Sequence, residues 1–261
     1  MDPIKESVQL YIESWKLFVR RLPSGTVEHS DGVVAALGNV AISFLNLCFH
    51  DSPMVDIVDV RRRLGLAIER AAHCPFQWLL GLCVDWIPEG WEAVAGEYAL
   101  ETVTTTIGMA TDHLQPPRRS LPKMEYRRVQ DEVTARDLAD LNMHAYRLPP
   151  EMGECICNLH LWKEDSYGYV GYVDGQPVTC AATFPVNDTI YVAFVATRPN
   201  KRRKGYAEAV IRHSVEQGAQ GLSLHRTTLH ATEAGFPLYQ AMGYETGARF
   251  IFVAKPHDGG A

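Results

Sequence analysis

No stretch of the chain stays apolar and uncharged for the ~20 residues that a membrane-spanning helix requires. The first helical pattern, Ile4 to Leu22, mixes Lys5, Glu6, Glu13 and Lys16 with apolar residues at helical spacing. It reads as an amphipathic soluble helix, not as a signal peptide. Cysteine is scarce and scattered: Cys48, Cys74, Cys83, Cys155, Cys157 and Cys180 are the six in 261 residues. A secreted disulfide scaffold would be shorter and denser in cysteine, so reduced, mostly buried thiols in a cytoplasmic protein are expected. An excess of basic residues is also missing. The 25 Lys and Arg are outnumbered by 31 Asp and Glu, for a net charge of −6, which argues against a nucleic-acid coat.

What is present is enough to build a core. Hydrophobic residues make up 46% and charged residues 21%, a globular balance, and the length suits two domains of ordinary size. The run Gln115 to Pro122 has three prolines and no apolar periodicity, so residues 115–123 read as a linker between domains 1–114 and 124–261.

Each half carries an α/β pattern. In the first, strands are expected at Thr26 to Ser30 and Gly32 to Leu37, with a third apolar strand at Ala41 to Phe49. Ser52-Pro53 reads as a helix start, with a helical face at Ile57, Val60, Leu64, Ile68 and Ala71. A strand (Trp78 to Val84), a helix (Trp91 to Leu100) and a strand (Thr102 to Ala110) follow. In the second half, strand Met124 to Val129 precedes helix Ala135 to Tyr146, and Pro149-Pro150 opens a short helix. A hairpin turns at Asp174-Gly175 between Tyr167 to Val173 and Pro177 to Phe184. A turn at Asn187-Asp188 leads into strand Thr189 to Thr197. A helix from Gly205 to Gln217 is closed by Gly218. Strand Thr227 to Ala231, short helix Phe236 to Met242 and strand Arg249 to Ala254 end the chain. The two halves finish alike, and Leu100-Glu101-Thr102 echoes Tyr244-Glu245-Thr246, which suggests a duplicated fold.

The segment that carries chemistry is Thr197-Arg198-Pro199-Asn200-Lys201-Arg202-Arg203-Lys204-Gly205-Tyr206-Ala207. It joins a buried strand to an amphipathic helix. The first N–H groups of a helix have no partner inside it, and with the helix dipole they attract anions. Small residues at Gly205 and Ala207 let backbone approach a ligand, and four consecutive cations surround it. A pyrophosphate suits such a place. A solvated basic loop or a nucleic-acid patch is the competing reading.

This segment resembles the cofactor motif of the GNAT superfamily of acetyltransferases, Arg/Gln-x-x-Gly-x-Gly/Ala. The resemblance extends along most of residues 124–254. Phe236-Pro237-Leu238-Tyr239-Gln240-Ala241-Met242-Gly243-Tyr244 resembles the family's later Leu-Tyr-x-x-x-Gly-Phe run, with Tyr244 in place of Phe. Thr232 stands where many members carry a cofactor-contacting Asn. The resemblance implies an α/β fold of two GNAT-like mixed-sheet halves in tandem, with helices on both faces. It implies acetyl-CoA as cofactor, bound by Val195, Ala196, Thr197, Arg202, Arg203, Lys204, Gly205, Tyr206, Ala207 and Thr232. It implies direct attack by a neutral amine on a thioester polarised by a strand N–H. Tyr239 matches the position that hydrogen-bonds the departing thiolate.

The family uses no fixed base, and His230 and Glu154 are both candidates, His230 because it titrates in the right range. Arg62-Arg63-Leu64-Gly65-Leu66-Ala67 also fits the motif, but it falls inside a helix where N–H groups are already bonded. The first half also has Ala95 where the repeat would align a partner for Tyr239, so it resembles a half that has kept the fold and lost the cofactor site. Cys155-x-Cys157-x-x-His160 has the wrong spacing for a zinc knuckle, and no metal is expected. The expected acceptor is a primary amine on a small molecule, with a protein amine as the alternative and no nucleic-acid or membrane partner. A silent acyl-CoA-binding module is the reading of a different class.

Overall fold

A computed structural model describes residues 2–157 and 159–256. In chain order the elements are α1 (Pro3–Arg20), β1 (Thr26–Ser30), β2 (Val33–Leu37), β3 (Asn46–His50), α2 (Ile57–Ala71), β4 (Leu79–Cys83), α3 (Trp91–Glu97) and β5 (Glu101–Thr111). They continue with β6 (Glu125–Arg128), α4 (Glu132–Tyr146), α5 (Glu154–Cys157), β7 (Tyr167–Val173), β8 (Gln176–Val186), β9 (Thr189–Thr197), α6 (Tyr206–Leu222), β10 (Thr227–Ala231), α7 (Phe236–Ala241) and β11 (Glu245–Ala254). The chain packs as two units. The first comprises residues 2–108, 231–234 and 246–256, the second residues 109–230 and 235–245.

In the first unit the strands lie in the order β1-β2-β3-β4-β11. Strand β3 runs parallel to β4, and the other neighbours are antiparallel. Strands β2, β3 and β4 are buried at every residue, because both faces are covered. Val8, Tyr11 and Ile12 of α1 pack on Val34, Leu47, Phe49 and Phe252 on one face. Leu64 and Ala67 of α2 and Val94 of α3 pack on Val33, Cys48, Leu80 and Val253 on the other.

The second unit has the order β10-β9-β8-β7-β6, with β9 and β10 parallel and the rest antiparallel. Helix α4 covers one face, reaching β8 and β9 through Asn142. Helix α6 covers the other, where Thr183 of β8 donates its hydroxyl to the Ser214 carbonyl. Both units are thus mixed sheets with helices on both faces, as expected. The hairpin turn at Asp174-Gly175 has both residues at positive φ, 53° and 72°, which matches the right-handed twist of its strands.

Several boundaries differ from the sequence reading, among them the start of β11, expected at Arg249 and found at Glu245, and three differ for a clear physical reason. Helix α2 begins at Ile57 with Asp56 as its cap. The Ser52 and Pro53 carbonyls instead receive the Arg63 guanidinium. Residues Ser43–Leu45 form a 3-10 turn, so the strand expected from Ala41 starts only at Asn46. Helix α6 runs through Gly218 and stops at Ser223, which takes the left-handed conformation (φ 57°). Gly218 serves packing: a Cβ there would lie 2.7 Å from Thr183 Oγ1, closer than any real contact.

Candidate active site

Among the described residues, three of the four helices longer than eight residues begin on an aspartate. Asp2 accepts the Ile4 N–H of α1 at 3.0 Å, Asp56 the Asp59 N–H of α2 at 2.9 Å, and Asp131 the Thr134 N–H of α4 at 2.8 Å. Helix α6 begins on Gly205, with no side-chain cap. Its first internal bond is given by the Ala209 N–H to the Gly205 carbonyl. The N–H groups of Tyr206, Ala207 and Glu208 therefore have no carbonyl within the helix. Gly205 has φ 86° and Arg203 φ 63°, so the backbone takes the left-handed conformation twice on the approach to the helix. Arg202, Arg203 and Lys204 are exposed. Arg202 is held by donating Nε–H to the Thr197 carbonyl at 3.2 Å. Lys201, Arg203 and Lys204 form no ion pair among the described residues. A positive, amide-lined tip results. A Cβ on Gly205 would fill it and meet Pro122 Cδ at 3.2 Å.

The strand before this tip outlasts its neighbour. The parallel ladder of β9 with β10 runs from Ile190↔Thr227 to Val192↔Leu229. On its other edge β9 stays paired with β8 to Thr197. The predicted Val195, Ala196 and Thr197 thus lie past the end of the β9–β10 ladder and present a backbone edge with no β10 ladder partner among the described residues. The β8 register jumps from Ala182↔Ala193 to Cys180↔Ala196, a bulge at which Phe194 has φ 52°. A bulge bends its strand and increases local twist, which separates the end of β9 from β10. Two groups hold it: Asn142 Nδ2 (3.4 Å) and Cys180 Sγ (3.2 Å) both donate to the Phe194 carbonyl. Burial pushes the Cys180 thiol up to about 12, so it stays protonated as a donor.

Tyr239 of α7 is 8% exposed and meets Tyr244 edge-on at 5.7 Å. Burial first, then the nearby Tyr146 and Tyr244 phenols, raise its pKa, so it remains a hydrogen-bond donor throughout the neutral range. His230 is half-buried at the first β10 position past the ladder, its Nδ1 2.9 Å from the Tyr191 hydroxyl of β9. Glu154 lies on the surface in an ion pair with Arg136 at 3.1 Å. Thr232 falls within residues 231–234 of the first unit. The second unit thus brings together Val195 to Thr197 and Arg202 to Ala207, and also holds Tyr239 and His230. Sequence reading missed the Phe194 bulge and the Asn142 and Cys180 groups that fix it. A phenylalanine at positive φ leaves no compositional signal.

The second-unit sheet, with its bulged strand and its uncapped helix, has the fold that solved GNAT structures share. Residues 164–246 match the model of the acetyltransferase (GNAT) domain family. Acetyl transfer is the chemistry that the name of that family states. Among solved structures, a GCN5-related N-acetyltransferase from Kribbella flavida shares the fold with TM-score 0.70 at 20% identity, over 95% of this chain and 95% of that one. A GCN5-related N-acetyltransferase from Sphaerobacter thermophilus gives TM-score 0.58 at 15% identity, over 86% and 76%. A tandem GNAT protein from the clavulanic acid biosynthesis pathway gives 0.55 at 11% identity, over 95% and 94%. A search of curated proteins gives no sequence match. No helix is long and apolar enough to cross a membrane among the described residues.

Proposed function

We propose that the second unit transfers an acetyl group from acetyl-CoA to a primary amine, on a small molecule. The observation that carries this is the uncapped, cation-ringed start of α6 immediately after a strand with an open backbone edge. The N–H groups of Tyr206, Ala207 and Glu208, with Arg203 and Lys204, would hold the pyrophosphate. The open edge of Val195 to Thr197 would hold the pantetheine arm through strand-like hydrogen bonds. The cofactor supplies an activated thioester.

The chain's residues do the rest. An N–H donor on β9 stabilises negative charge developing on the carbonyl oxygen. The Tyr239 hydroxyl donates a hydrogen bond to the departing sulfur. Its raised pKa is no obstacle, because the same desolvation that raises the phenol also raises a thiol in the gap. His230 accepts the proton of the incoming amine.

An amine panel assayed by thiol release tests the reading. Turnover on at least one small amine is expected. Tyr239→Phe should lower kcat by about 10- to 100-fold, the range of general acid–base contributions, with the coenzyme A Kd within about twofold of the parent. Coenzyme A binding with no turnover on any amine would instead make the chain an acyl-CoA-binding module.

A further inference from the structure

We propose that Arg119, in the segment between the two sequence halves, is a ligand for the coenzyme A pyrophosphate. The inference rests on the cofactor reading above and adds a residue that lies outside its motif. Residues 112–124 form neither helix nor strand, yet they are tied to the second unit at both ends. At one end the Gln115 N–H donates to the Met242 carbonyl at 2.8 Å, and Arg212 of α6 donates to the Gln115 carbonyl at 2.6 Å. Gly243 (φ 96°) admits this approach, since a Cβ there would lie 2.6 Å from Gln115 Cγ. At the other end, Pro122 Cδ lies 3.2 Å from the Cβ position of Gly205. Between these anchors the segment passes from the Arg212 turn of α6 to its N-terminal tip.

That path delivers a guanidinium to the helix start. Arg119 Nε and Nη2 both lie 3.7 Å from the Gly205 Cβ position. Arg119 is exposed and pairs with no carboxylate among the described residues. The carboxylate in the first turn of α6, Glu208, is taken by Arg212 at 2.8 Å. A cation placed beside free amide donors, without a counter-ion, raises the electrostatic cost of an empty tip and is relieved by an anion. A planar guanidinium also suits bidentate contact with phosphate oxygens. Proline at 116, 117 and 122 stiffens the segment, so little entropy is lost in holding Arg119 there.

The test is calorimetric titration of the full chain and of Arg119→Ala with coenzyme A and with 3′-dephospho-coenzyme A, at low and high salt. Expected is a rise in Kd of about tenfold for both ligands at low salt, the scale of one charge-assisted hydrogen bond. The gap between the two proteins should narrow at high salt, and Arg119→Lys should recover part of the affinity. Equal Kd in parent and variant would overturn the proposal. A loss seen only with the 3′-phosphorylated ligand would move Arg119 to that phosphate and overturn the pyrophosphate assignment. A loss independent of salt would mark altered packing, with the same consequence. If the parent chain fails to bind coenzyme A, the cofactor reading itself falls; if it binds and Arg203→Ala weakens it while Arg119→Ala does not, only this inference falls.

Discussion

Helices α2 and α6 both follow an apolar strand and precede a parallel one, yet their first turns are built in opposite ways. In α2, Asp56 caps the helix and Asp59 in the first turn accepts the Val55 N–H and the Arg62 and Arg63 guanidinium groups. Donors and cations alike are spent on carboxylates of the same chain. In α6 a glycine replaces the cap, and the cations stand unpaired. The strand gaps differ in the same sense. Past its last pair with β4, Phe49↔Gly81, strand β3 runs one residue to His50. The His50 Nε2 accepts the Cys83 N–H at 2.7 Å, so Nδ1 carries the proton toward the Ser52 carbonyl at 3.2 Å. A side chain stitches this gap, whereas Val195 to Thr197 of β9 lie past the end of the β10 ladder. The two units share a topology but differ in whether the chain satisfies its own backbone, and the proposed ligand falls where it does not.

Changing the helix starts would break this contrast most severely. Gly205→Val should weaken coenzyme A binding by more than about a hundredfold in a calorimetric titration, because a β-branched residue is strained at positive φ and its side chain fills the tip. Gly65→Ala, in the same local motif but in the interior of α2, should leave that affinity within about twofold, since interior N–H groups are already bonded. A strong effect at Gly65 would erase the distinction between the two helices.

The stitched gap of the first unit predicts acid sensitivity. Burial lowers the His50 pKa to about 4, below its value in the unfolded chain. As pH falls below about 6.5 the unfolded chain takes up a proton that the folded one refuses, so stability is full above that pH and declines down to about 4. The total approaches about 3 kcal/mol by linkage. Denaturant midpoints measured between pH 7 and 4 should show this slope, and His50→Gln should flatten it whatever its effect at pH 7. Smallest is the cap itself: Asp56→Ala should cost about 1 kcal/mol, read as a lower melting temperature, with coenzyme A affinity unchanged.

Much of this contrast was legible in the sequence, because its signals are local. Asp174-Gly175 and Asn187-Asp188 mark turns that need positive φ, and Thr189 to Thr197 is a strand with the bounds expected. The Gly205 cap and the mid-helix place of Gly65 follow from helix chemistry alone. What could not be read depends on residues far apart. Gly218 has the look of a stop signal, but contact with Thr183 across the sheet makes it part of a continuous helix. Ser52-Pro53 has the look of a helix start, but Arg63 draws those carbonyls out of it. Nothing local tells β11 that its partner is β4, or that the proline-rich segment carries Arg119 to the tip of α6. The Phe194 bulge is set by Asn142 and Cys180, which lie 52 and 14 residues away.

The most direct test of the account is the stoichiometry of coenzyme A binding to the full chain, measured by calorimetry alongside Gly205→Val. One site per chain, lost in the variant, is the predicted result. Two sites per chain, or one that survives the variant intact, would show that the start of α6 does not hold the pyrophosphate.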